Sequence, residues 1–156
     1  SRSPEQTEWL ARQLAPKCTA VDTLLLSGEI GSGKTAFARA FIGFRLEKCG
    51  IADEIPSPTF TLVQTYNAGS TEIWHADLYR LNSPFEAVEL GLEEAMDHTL
   101  CLIEWPERMG EIEPAFGHRL NFSFDASNEF VRTISIGTRN PEIADFLASL
   151  DGEIPS

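Results

Sequence analysis

The sequence has 156 residues, 42% hydrophobic and 23% charged, which suits a folded domain with a real core and excludes a disordered chain. Twelve basic residues face 24 acidic ones, a formal charge of −12, so the surface repels phosphate backbones and suits the chain poorly to gripping nucleic acid alone. No apolar run is long enough to span a bilayer and no basic-apolar-small signal opens the chain; Cys18, Cys49 and Cys101 are odd in number and widely spaced. The expectation is a cytoplasmic protein with reduced thiols and no disulfide framework.

Ser3-Pro4 predicts the start of a first helix, with Ser3 as N-cap and Pro4 in the first turn. Trp9, Leu10 and Leu14 give it an apolar face, and Pro16 ends it. Residues 22–27 read as a short buried strand, and a helix follows from about 34 to 48, ended by Gly50. Two prolines exclude regular structure over 54–59. A strand is expected from Phe60 to Tyr66, a hairpin turn over 67–70 and a returning strand from Thr71 to Asp77. Ser83-Pro84-Phe85-Glu86 is a capping box, predicting a helix from there to about Met96. Leu100 to Ile103 is wholly apolar, as in a central parallel strand. Strands over 118–124 and 130–136 pair antiparallel across a turn, and a helix over 141–150 precedes a loose tail at 151–156. The expected fold is a single α/β domain over 1–150: a mixed, mostly parallel sheet flanked by helices, with antiparallel strands at one side.

Between the first strand and its helix stands Gly28-Glu29-Ile30-Gly31-Ser32-Gly33-Lys34-Thr35, the G-x-x-x-x-G-K-T phosphate-binding loop. Gly28, Gly31 and Gly33 let the backbone curl so that its N–H groups, with that of Ser32, point at a phosphate, and the helix dipole faces the same anion. Lys34 reaches the β/γ-phosphates, and the Thr35 hydroxyl is a ligand for the bridging Mg²⁺.

Such a loop needs an acidic partner at the end of a second buried strand, and Glu104 ends the 100–103 run. Asp77 is the second candidate for a metal or catalytic role. His75 lies two residues before it on the same strand face, as a ligand, as a surface residue orienting Asp77, or as a supporting or packing histidine, which is commoner than a ligand. Ser57-Pro58-Thr59-Phe60-Thr61 reads either as a γ-phosphate sensor or as an ordinary Pro-rich connector. Trp105 either covers the site, meets a partner or packs in the core. No transition-metal site is expected, since His98 and His118 are isolated and no cysteine lies at ligand spacing.

Four motifs in order, the loop at 28–35, Pro-Ser-Pro-Thr-Phe at 56–60, His-Ala-Asp-Leu-Tyr-Arg-Leu at 75–81 and Ile-Glu-Trp-Pro-Glu-Arg at 103–108, resemble the bacterial TsaE (YjeE) ATPases over about residues 3–137. The resemblance implies an ATPase of tRNA threonylcarbamoyladenosine biosynthesis. It would act with TsaD and TsaB, hydrolyse ATP to reset that pair, and meet tRNA only through it. It further implies that Thr35 and Glu104 hold Mg²⁺, that Asp77 is needed for activity, and that Thr7 and Arg132 contact the base. Two departures stand out: Ala36 where the family usually has a second Thr, and Ala76 where an aromatic is common. Ala76 should face away from Asp77. The other readings of the loop are a small-molecule kinase, against which the scattered Arg80, Arg108, Arg119 and Arg132 and the lack of a lid-sized insertion argue, and a non-catalytic nucleotide-responsive binding module.

Overall fold

The computed structural model describes residues 1, 3–52, 54–58 and 60–150; the expected tail at 151–156 and Thr59 lie outside the described residues. Helix α1 spans Pro4–Leu14, and its N-cap Ser3 accepts from the Gln6 N–H. The chain passes through a 3-10 turn, Ala15–Lys17, before strand β1, Thr23–Gly28. The phosphate loop leads into α2, Lys34–Glu47. Strands β2, Val63–Ala68, and β3, Thr71–Asp77, form a hairpin. Two short helices follow, α3, Pro84–Glu89, and α4, Leu92–His98, then β4, Leu100–Glu104. A 3-10 segment, Pro106–Ile112, connects to β5, His118–Phe124, then β6, Arg132–Gly137, and α5, Pro141–Ser149.

The six strands form one sheet in the order β2-β3-β4-β1-β5-β6. The three inner pairings, β3–β4, β4–β1 and β1–β5, are parallel, and an antiparallel pair lies at each edge. Every residue of β4 is buried, as its unbroken apolar run requires of a strand covered on both faces. Alternation along the strands sorts the core into two layers. Leu24, Leu26, Leu100, Leu102, Leu120 and Phe122 pack with α1, α2 and α5. Leu25, Ala76, Cys101 and Ile103 pack on the other face with α3, α4 and the 3-10 segment. Ala76 therefore sits in the second core, facing away from Asp77 as expected, and Cys101 is core.

The last strand begins at Arg132 and not at Phe130, and three further expected boundaries shift for local reasons. The predicted helix from 83 to 96 is two helices: its capping box forms, with Glu86 accepting from the Asn82 and Ser83 N–H groups, but Gly91 turns left-handed (φ 77°) and breaks the rod. The strand expected from Phe60 begins only at Val63, because Leu62 adopts φ 64° and its N–H closes a turn onto the Pro58 carbonyl. Asn67 and Ala68, expected in the hairpin turn, pair with Glu72 and Thr71, leaving Gly69-Ser70 as a two-residue turn with Gly69 at φ 65°.

Phe37 lies at the centre of the first core, fully buried against the rings of Phe41 (6.3 Å) and Phe122 (5.7 Å). Phe37→Ala should lower unfolding stability by about 3–5 kcal/mol in urea titration at unchanged slope; a shift below about 1 kcal/mol would show that the core collapses around the gap.

Candidate functional site

Parallel pairing brings the carboxyl ends of three strands level. Leu26 and Asp77 both register with Glu104, which places the phosphate loop after β1 beside two carboxylates, where ligands bind in open α/β sheets. Gly28 starts the loop at φ 144°, and a Cβ there would meet the Phe122 carbonyl oxygen at 2.3 Å, so only glycine lets β1 pass β5 into the loop. Gly33, at φ 105°, begins α2 without any side-chain cap, leaving the first-turn N–H groups to an anion.

Lys34 is buried with its ammonium donating to the carbonyls of Gly28 (2.7 Å) and Glu29 (2.8 Å). The Trp105 ring covers it, 4.3 Å from Nζ to the ring centroid. Burial pushes the Lys34 pKa down, and the nearby Glu104, Asp77 and Glu107 charges oppose that shift. Trp105 holds a left-handed backbone (φ 60°, ψ 51°), a costly conformation for a bulky residue, and packs on Tyr79.

Glu104 is 1% exposed and held on both oxygens. The Thr35 hydroxyl donates to Oε1 at 2.7 Å, and His75 donates from Nε2 to Oε2 at 2.7 Å. His75 is fully buried, and its Nδ1 finds no partner among the described residues. Of the readings offered for His75, the buried supporting histidine fits the geometry, but the group it orients from behind is Glu104 and not its strand neighbour Asp77. Asp77 is 7% exposed and accepts from the Tyr79 N–H at 3.1 Å.

A pocket of about 390 Å³ is lined by Gly31, Gly33, Lys34, Thr35, Ala36, Asp77 and Glu104, with Tyr79, Arg80 and Trp105 on its rim. It holds oxygen donors from Thr35, Glu104 and Asp77, a set that suits a hard cation such as Mg²⁺. Along the loop, Gly31, Gly33 and Ala36 also line a second pocket of about 240 Å³, with Ser32, Thr7, Phe130 and Arg132. Lys34, Thr35, Asp77 and Glu104 thus line one pocket and Thr7 and Arg132 the other, with Gly31, Gly33 and Ala36 common to both and Gly28 at the loop's base.

Two residues of these pockets escaped the sequence reading. Arg80 was counted among scattered arginines, yet lines the first pocket, its guanidinium over the Phe60 ring. Phe130, read as a strand residue, lies in the turn before β6 and is 75% exposed beside the second pocket. Nothing local in either sequence neighbourhood signals this. Neither Ser57 nor Thr61 lines the first pocket; Thr61 instead accepts from Gln64, and the next residue, Leu62, accepts at its carbonyl from the Asp77 N–H.

His75→Leu would leave one oxygen of a buried carboxylate without its partner. It should cost about 1–3 kcal/mol in urea unfolding; an unchanged midpoint would show that the contact stabilises nothing.

The family profile described as threonylcarbamoyl adenosine biosynthesis protein TsaE matches residues 1–134. The chain is 50% identical over 105 residues to the tRNA threonylcarbamoyladenosine biosynthesis protein TsaE of Rickettsia conorii, a match covering 67% of this chain and 58% of that protein. The protein of the same name in Bacillus subtilis is 32% identical over 153 residues, covering 96% and 92% of the two chains. The crystal structure of Bacillus subtilis YdiB superposes with a TM-score of 0.73 at 28% identity, over 96% of this chain and 92% of that one. The chain therefore belongs to the TsaE family.

Proposed function

We infer that this chain is a Mg²⁺-dependent ATPase serving tRNA threonylcarbamoyladenosine biosynthesis in the cytoplasm, acting with the TsaB–TsaD pair and hydrolysing ATP to reset it. One observation carries the reading: the Thr35 hydroxyl and the Glu104 carboxylate meet at 2.7 Å at the mouth of the phosphate loop. A contact between these two groups, 69 positions apart in sequence, is what a Mg²⁺ site of this loop type requires.

The chain's own groups divide the work. Loop N–H groups and the α2 N-terminus bind the phosphates, and Lys34 exchanges its loop carbonyls for phosphate oxygens. Bound Mg²⁺ would neutralise charge on the β/γ oxygens. Glu104, fixed by His75, presents one oxygen toward that position with Thr35. Asp77 lies level with Glu104 and orients the attacking water or completes the oxygen set. Arg80, on the pocket rim, supplies positive charge where the transferred phosphoryl group develops negative charge. The base occupies the second pocket, between Thr7 and Arg132, with Phe130 offering a stacking face. The −12 charge fits a protein that reaches tRNA through its partners.

The test is phosphate release from Mg-ATP with and without the cognate TsaB–TsaD pair. Slow basal release that rises on adding the pair is expected, and Lys34→Ala should abolish it with the fold intact. Full activity in Lys34→Ala would remove the site assignment. Phosphate transfer to an acceptor other than water would favour a kinase, and tight ATP binding with no rise would favour a binding module. Phe130→Ala should weaken ATP binding about tenfold, in line with stacking worth about 1–3 kcal/mol; unchanged affinity would place the base elsewhere.

A further inference from the structure

At the foot of the sheet, at the opposite end of β1 from the phosphate loop, three side chains of metal-ligating type converge from distant parts of the sequence. Cys18 closes the 3-10 turn after α1, Asp22 immediately precedes β1, and His118 is the first residue of β5. Their ligand atoms all lie within 4.8 Å of one another, with Nε2 of His118 3.4 Å from Oδ2 of Asp22. Cysteine and histidine 100 positions apart carry no spacing signature, which is why the sequence predicted no such group.

His118 is 7% exposed, and its two ring nitrogens differ. Nδ1 lies 2.8 Å from the Thr138 hydroxyl, which is itself fixed by the Asn140 N–H at 3.0 Å. In the tautomer that donates from Nδ1 to Thr138, Nε2 carries a lone pair aimed at Cys18 and Asp22. That Nε2 is buried and has no hydrogen-bond partner among the described residues, although Asp22 Oδ2 lies 3.4 Å away. A histidine whose far nitrogen is held by a protein oxygen while the near one stays open is oriented as metal-ligating histidines are. Asp22 is likewise fixed, by the Thr19 N–H at 2.7 Å, and its side chain is 24% exposed, which opens a route from solvent.

We propose that Cys18, Asp22 and His118 form a transition-metal site of the zinc class, separate from the nucleotide site. A sulfur, an imidazole nitrogen and one carboxylate select a borderline-soft cation over Mg²⁺. Zn–S of about 2.3 Å and Zn–N of about 2.0 Å set tetrahedral ligand atoms roughly 3.5 Å apart, a spacing that His118 Nε2 and Asp22 Oδ2 already have at 3.4 Å, and water would complete the fourth position. The metal staples the end of α1 to the starts of β1 and β5. Six residue steps along β1 take Asp22 to Gly28, about 20 Å at strand rise, so the staple stabilises the sheet without touching the phosphates.

The experiment is a Co²⁺ titration of the reduced, EDTA-treated full chain in excess Mg²⁺, followed by the sulfur-to-cobalt charge-transfer absorption and by displacement with Zn²⁺. No sulfur lines the nucleotide pocket, so Co²⁺ bound there gives no thiolate band, and the cysteine variants separate Cys18 from the exposed thiol of Cys49. The expected result is one equivalent of Co²⁺ with a thiolate band, lost in Cys18→Ser and kept in Cys49→Ser. Asp22→Asn, at a partly exposed position, should weaken Co²⁺ at least tenfold with an unchanged circular dichroism spectrum, and decides the matter should Cys18→Ser misfold. Absence of the band in the wild type, its survival in Cys18→Ser, or full affinity in Asp22→Asn would overturn the site and leave a buried His118–Asp22 polar contact.

Discussion

The Glu104 carboxylate is the point on which the site depends. It is buried at the end of the central strand β4, bonded on one oxygen by the first turn of α2 and on the other by β3. A buried carboxylate needs such partners, since desolvation without compensation costs several kcal/mol. Here the partners also do geometric work: Thr35 and His75 fix the carboxylate plane, and the sheet register sets Asp77 level with it. Moving any one of α2, β3 or β4 would misplace the others. The register of the parallel strands, set by the two apolar layers, is therefore also the register of the chemistry.

The phosphate loop is held in shape by its own lysine. Lys34 bonds two loop carbonyls and sits under Trp105, so the cradle keeps its curvature through contacts that a phosphate would replace one for one. Burial disfavours the ammonium, and the surrounding acidic groups hold it charged. In the proposed function a polyphosphate would add negative charge beside Lys34 and Arg80, and beside Glu104 and Asp77 as well, and a divalent cation would offset it. The left-handed backbone at Trp105 and Leu62 marks the two segments leading into and out of this pocket, where strained conformations are held by what surrounds them.

Much of the fold was legible because its signals are local. The loop motif, the capping box at Ser83–Glu86 and the apolar run of β4 each predict one element from adjacent residues, and the structure has all three. The boundaries that moved depend on single left-handed residues: Gly91 splits a helix and Leu62 delays a strand, and only the first is of a type that announces itself. The site divides the same way. Lys34 and Thr35 are fixed by their motif, whereas the role of His75 depends on a partner 29 positions away, and the sequence could offer only its neighbour Asp77. Arg80 and Phe130 reach the pockets through turns whose course follows from tertiary packing. The Cys18, Asp22 and His118 group shows the same limit, being assembled by the parallel β1–β5 pairing.

The central claim is that Glu104, held by Thr35 and His75, is where Mg²⁺ joins the nucleotide. Calorimetric ATP affinity, measured in EDTA and in Mg²⁺ for the wild type and Glu104→Gln, tests it most directly. The account predicts that both proteins bind ATP similarly in EDTA, through the loop and Lys34, and that Mg²⁺ strengthens binding only in the wild type. An equal Mg²⁺ enhancement in Glu104→Gln would contradict it and move the metal away from β4.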